Sequence, residues 1–228
     1  MKSVFIIPSC VNFDADIPLD YSPTRSLYSH NERFNQTLNT ISSIRRYSPA
    51  SDILLCELSP LDSEQKKALS QKVEYLIHCN KDNSKIFNFF KDHLNKSHGE
   101  SFAILKSLIY LKNMQFPLYD VYYKISGRYK LNKTFNPEDH STHLFNAKKH
   151  DCFESGVFTT LFSFNKTFFN TFLDSMILTH SFTTNQYPPF SGYSLETNLL
   201  YGNHDKINFL PHLGVEGNFG PDGEKHYQ

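Results

Sequence analysis

The stretch Tyr122-Tyr123-Lys124-Ile125-Ser126-Gly127-Arg128-Tyr129 decides how this chain is read. Its first half, extended back to Asp120 and Val121, is rich in β-branched and aromatic residues, the composition of a strand. It then passes into Ser126, Gly127 and Arg128: a small residue, a conformationally permissive one and a fixed cation. In an alternating α/β chain, a mid-chain strand ending this way aims its turn at the open carboxyl edge of the sheet, where ligands bind. The plainer alternative is a β-turn carrying a surface arginine.

The residues before this stretch supply the α/β context. Val4 to Ile7 is a continuous apolar run closed by Pro8, which suits a strand buried on both faces. A polar segment follows from Ser9 to Tyr28, too long for a tight connection and of the kind that is functional or disordered. Ser29 and Glu32 then form a capping-box pattern, and Phe34, Leu38, Ile41 and Ile44 repeat on one helical face. Arg45 and Arg46 suit the helix end, and Pro49 stops it. Asp52 to Cys56 reads as a second buried strand. Glu57 follows it, with Ser59 as N-cap and Pro60 as first residue of a helix running to about Lys72. Residues 74–79 read as a third strand, so the first eighty residues give β-loop-α-β-α-β, a parallel Rossmann-like half. A short helix within 81–95 and a longer one opening at Ser97-His98-Gly99-Glu100 lead into the deciding stretch. The longer one is expected to carry Phe102, Leu105, Leu108 and Ile109 inward.

Beyond Arg128, residues 131–151 read as polar loop, 156–164 as a strand, and Lys166 to about Thr179 as a helix. Ser194 caps a helix from Leu195 to Tyr201, and Ile207 to Leu210 is a last strand. The tail from Gly214 to Gly223 holds four of the nine glycines. The expectation is one α/β domain over residues 1–228, with a mostly parallel central sheet flanked by helices.

Composition excludes several classes. Lys plus Arg and Asp plus Glu both number 23, so no net charge draws the chain to nucleic acid or an acidic membrane. No apolar run approaches membrane-spanning length. The cysteines, Cys10, Cys56, Cys79 and Cys152, lack C-x-x-C spacing and read as reduced thiols of an intracellular, cytoplasmic protein. His140 and His143 lie in a segment without helical pattern, which fixes no common face for a metal. No phosphate-binding P-loop, dinucleotide fingerprint or hydrolase elbow occurs.

Several residues are candidates for chemistry. Glu57, at the end of the second strand, can bond a ribose hydroxyl or a base edge, or it is simply solvated. Arg25, Arg33, Lys96 and Arg128 stand near strand ends or helix starts, where phosphate recognition favours cations and arginine forks. Glu196, in the first turn of a helix, is either a general base or a carboxylate favoured there by the helix dipole. Tyr187, Phe190 and Tyr193 make the second half rich in aromatic rings available for stacking.

The order of these pieces resembles glycosyltransferases of the GT-A fold, especially the family-2-like group. The helix over 36–44, the acidic strand end Cys56-Glu57-Leu58-Ser59, the Gly-bearing helix start His98-Gly99-Glu100 and the late Glu196 match that order. The resemblance implies a nucleotide-sugar donor, a glycan acceptor, a nucleotide-binding half over 1–125 and an acceptor half over 126–228. It implies donor-side contacts from Pro8, Ser9, Arg25, Arg33, Glu57 and Ser59. It implies further contacts from His98, Gly99, Lys124, Ser126, Gly127 and Tyr129. Where the family carries a metal-binding Asp-x-Asp, this chain has Ser126-Gly127-Arg128. The expectation is therefore an inverting transferase with Glu196 as base, Arg128 opposite the diphosphate, and no predicted cofactor or divalent metal. A non-catalytic nucleotide- or carbohydrate-binding module is the alternative. A sugar nucleotidyltransferase ranks below it, because neither metal-binding carboxylates nor a Gly-rich signature are apparent.

Overall fold

A computed structural model describes residues 1–19, 22–114, 119–149, 156–184, 195–218 and 225–227. The strands are β1 (Ser3–Ser9), β2 (Asp52–Glu57), β3 (Tyr75–His78), β4 (Val121–Ile125), β5 (Tyr129–Leu131), β6 (Phe145–Ala147), β7 (Leu161–Asn165), β8 (Ile207–Phe209), β9 (Val215–Asn218) and β10 (Lys225–Tyr227). The helices are α1 (His30–Tyr47), α2 (Ser63–Ser70), α3 (Lys85–Asp92), α4 (Lys96–Asn113), α5 (Phe169–Thr184) and α6 (Leu195–Asn203).

Seven strands form the central sheet in the order β3-β2-β1-β4-β7-β6-β8. β7 runs antiparallel to β4 and β6, and the other neighbouring pairs are parallel. The sheet therefore joins both halves of the chain. β1 sits at its heart, with all seven residues buried, because its apolar run meets helices on both faces. Val4 and Ile6 face one layer with Ile104, Phe172 and Leu199, from α4, α5 and α6. Phe5 and Ile7 face the other with Ile41 and Ile44 of α1. Aromatic rings fill both layers: Tyr122 stacks on Phe164 at 5.1 Å and Phe5 on Tyr123 at 4.4 Å. Among the described residues no helix is long and apolar enough to cross a membrane.

The first half follows the sequence reading closely. Ser29 and Glu32 close the capping box of α1, and Arg45 and Arg46 occupy its last turn. The start of α2 differs. Its N-cap is Asp62, in a reciprocal box with Gln65, so Ser59 does not cap it. On α4 the inward face is Ala103, Ile104, Leu108 and Leu111, whereas Ile109 is 40 % exposed. The second half departs more. The segment expected to be loop contains β6, and β5 begins inside the deciding stretch at Tyr129. The glycine-rich tail supplies β9, and β10 follows it; β9 pairs with both β5 and β10 in a second, antiparallel sheet of order β10-β9-β5. These strands are three or four residues long, too short for an alternating pattern to register.

Cys10, Cys56 and Cys79 are free thiols. Cys152, the Ser194 cap and the aromatic trio Tyr187, Phe190 and Tyr193 lie outside the described residues.

Candidate functional site

The carboxyl ends of β1 and β4 are neighbours in the sheet, and a cleft opens above them. Pro8 and Ser9 form one part of its floor, and the turn Ser126-Gly127-Arg128 forms the other. The turn is held at three points. Gly127 N donates to Pro8 O at 3.3 Å, Ser126 N donates to Thr160 O at 2.9 Å, and Thr37 Oγ1 of α1 donates to Gly127 O at 3.4 Å. Glycine fits this close approach: a Cβ on residue 127 would stand 3.3 Å from Pro8 O and 3.4 Å from Thr37 Oγ1. Thr40, one turn further along α1, donates to Tyr129 O at 2.6 Å.

Cations line the walls. Arg33 comes from α1, Lys96 and Gly99 from the start of α4, Lys91 and Phe90 from α3, and Phe13 and Arg25 from the long loop after β1. Their electrostatics record the crowding. Burial, then the charges of Arg128, Arg33 and Arg25, push the Lys96 ammonium down to about 7. Burial and Arg128 lower Arg33 to about 10. No ion pair joins Arg33, Lys96 or Arg128 to an acid among the described residues. Basic side chains that converge on one cleft with no ion-paired acid among the described residues are complementary to a multiply charged anion.

Arg25 does different work. Its guanidinium donates to the carbonyls of Ile17, Pro18, Lys91 and His93, the last two at 2.9 and 2.8 Å. It ties the long loop to the end of α3 and stands in the cleft wall as a staple.

Beneath the cleft lies a polar node. The Lys124 ammonium is fully buried and donates to Glu100 Oε1, Ser126 Oγ and Thr159 O, which occupies its three protons. Burial alone raises a carboxyl, but Lys124 outweighs it and holds Glu100 below its ordinary value. Glu100 lines the cleft with that carboxylate already paired. Thr159 Oγ1 in turn donates to Glu196 Oε1 at 3.0 Å. Glu196, in the first turn of α6, is thus joined to the cleft floor through Thr159, Lys124 and Ser126.

Nine of the residues singled out from sequence line the cleft: Pro8, Ser9, Arg25, Arg33, Lys96, Gly99, Ser126, Gly127 and Arg128. Six do not. Lys124 and Glu196 belong to the node below. Glu57 is fully buried and accepts Val11 N at 3.0 Å and Ser59 N at 2.9 Å, while Ser59 Oγ is turned onto the same carboxylate. His98 is 1 % exposed, stacked on the His93 ring at 4.2 Å, because its side of α4 faces α3. Tyr129 is buried in the second core layer. The sequence reading passed over Thr37, Phe13, Phe90, Glu100 and Thr159. Thr37 and Thr40 carried a signal, since polar residues spaced with Arg33 along one helical face (33, 37, 40) mark a stripe with its own partner.

Among the described residues no group of three His, Cys, Asp or Glu side chains could hold an ion. At the turn itself, the carboxylate of Glu100 is committed to Lys124 and Ser126. His140 is buried against Ser163 Oγ, and burial pushes it down to about 4.

The chain has the fold of the GT-A glycosyltransferases: a mixed, mostly parallel seven-stranded sheet between helices, with its cleft at the carboxyl ends of β1 and β4. Two crystal structures of the glycosyltransferase GlyE of Streptococcus pneumoniae superpose on 91 % and 92 % of it, each with a TM-score of 0.53, at 12 % and 13 % identity. The bifunctional glycosyltransferase WbbM superposes on 91 % of it, with a TM-score of 0.50 at 14 % identity. The chain spans less than half of each of these proteins: 44 % and 46 % of the GlyE chains and 38 % of WbbM. No family model and no curated protein matches the sequence.

Proposed function

We propose that this protein is a glycosyltransferase that moves a sugar from a nucleotide-sugar donor to a hydroxyl of a glycan, with inversion and without a divalent metal. The observation that carries the reading is the convergence of Arg33, Lys96 and Arg128 on the cleft at the ends of β1 and β4. A nucleoside diphosphate leaving group gains charge as the glycosidic bond breaks, and fixed cations stabilise that charge where it develops. Arg128 takes the position in chain order of the family's Asp-x-Asp and supplies directly the charge a metal would bring. The half before residue 126 holds the nucleotide through Pro8, Ser9 and Arg33. The later half receives the acceptor, and Glu196 takes the proton from its attacking hydroxyl. In-line attack on the face opposite the leaving group gives inversion.

The test is thermal unfolding with UDP, GDP, CMP and dTDP, each with manganese and with chelator, for the native protein and Arg128→Ala. One nucleotide should raise the midpoint equally under both conditions, and the variant should lose most of the shift. A shift seen only with manganese overturns the metal-independent reading. No shift with any nucleotide overturns the donor.

A further inference from the structure

We infer that Thr159 is a positioning residue for transfer: its hydroxyl fixes the carboxylate of Glu196, and its carbonyl ties that carboxylate's location to the cleft floor. The inference rests on the reading of Glu196 as base. Thr159 precedes β7 and is 8 % exposed. Its two polar groups point to different partners. Oγ1 donates to Glu196 Oε1 at 3.0 Å. The carbonyl oxygen accepts from the Lys124 ammonium, and also from Ser126 Oγ at 3.3 Å. Ser126 begins the turn that carries Arg128, so one residue contacts both ends of the reaction: the proposed proton acceptor and the turn facing the leaving group. A second backbone bond, Val157 N to Glu196 O at 3.3 Å, holds the start of α6 near the same segment but leaves the side chain free to rotate. Among the described residues, the threonine hydroxyl is the group that holds the carboxylate.

A base that must meet a hydroxyl within hydrogen-bond distance loses rate when its orientation is lost, and donor affinity, set across the cleft, is untouched. Thr159→Val deletes the hydroxyl but keeps the branched shape and the carbonyl. Thr159→Ser keeps the hydroxyl. The experiment follows nucleotide release from UDP-glucose, GDP-mannose and dTDP-glucose, with water as acceptor, for the native protein, both variants and Glu196→Gln. Thr159→Val should lower kcat about ten- to a hundredfold, the loss expected for a hydrogen bond to a charged group. Its KM and its nucleotide-induced rise in melting temperature should stay native, and Thr159→Ser should restore the rate. A native rate in Thr159→Val beside an inert Glu196→Gln overturns the positioning role alone. Loss of nucleotide binding together with rate in Thr159→Val also overturns it, since the residue then builds the cleft. Turnover retained in Glu196→Gln overturns the base reading beneath it, and an inert native protein overturns both.

Discussion

Glu57 accepts the amide of Val11 at 3.0 Å on the same carboxylate oxygen that takes Ser59 N at 2.9 Å. The end of β2 thereby fixes the start of the long loop that walls the cleft. The acidic strand end that looks from sequence like a ligand contact is, in the fold, a backbone clamp.

Replacing that clamp should be costly. Glu57→Ala orphans the amides of Val11 and Ser59 and the Ser59 hydroxyl at a fully buried position. Each unmet buried group costs about 1–3 kcal/mol, so the variant should lose at least ~3 kcal/mol in urea unfolding. An unchanged unfolding midpoint would show that Glu57 is free for another partner.

The Lys124–Glu100 pair yields a second expectation. Lys124→Met leaves Glu100 facing a site emptied of its counter-charge, and breaking a buried pair from one side costs about 3–5 kcal/mol. Replacing both, as Lys124→Met with Glu100→Gln, should recover much of that loss. A double variant as unstable as the single would mean that the Lys124 bonds to Ser126 and Thr159, not the charge pair, hold the node.

The difference between Glu57 and Arg128 shows what was legible. Strand β1, the capping box of α1 and the turn after β4 follow from local patterns, and the cleft sits where those patterns place the sheet's open edge. The place of Arg128 in the cleft lining was legible because it follows a strand at the sheet's open edge. Glu57, Lys124 and His98 were not, because the same residue type serves a ligand or a buried bond, and only the fold says which partner is nearer. Thr159 was silent in the sequence, since its contacts run to Lys124 and Glu196, 35 and 37 residues away. The small sheet β10-β9-β5 was missed for a related reason, as three short strands pair across more than eighty residues.

Gly99 gives a steric prediction. A Cβ there would lie 2.7 Å from Phe90 O, a backbone atom of α3 that no rotamer change can move. Gly99→Ala should push α3 away from α4, at a cost of about 1–3 kcal/mol. Because Phe90 and Gly99 both line the cleft, nucleotide-induced stabilisation should fall as well. Calorimetry of the variant with and without nucleotide separates the two effects, and full retention of both would mean that α3 yields without cost.

Lys96 makes the site's pH dependence explicit. Burial and its cationic neighbours bring its ammonium down to about 7, against about 10.4 for an unperturbed lysine. Between those values the unfolded chain binds the extra proton, so without ligand the Lys96 contribution makes the fold more stable as pH rises through that window. Anion binding has the opposite sign. The ammonium attracts a diphosphate below pH 7 and loses that attraction as it deprotonates above it, so affinity should weaken by up to tenfold per pH unit above 7. The ligand's own titration enters the same range. Lys96→Arg, which stays charged throughout, removes the Lys96 share and leaves the ligand's. The ratio of nucleoside diphosphate affinities, native over Lys96→Arg, should therefore fall from pH 6 to pH 8 in titration calorimetry. A ratio that stays flat would place the Lys96 ammonium outside the anion's field and leave Arg33 and Arg128 to hold it.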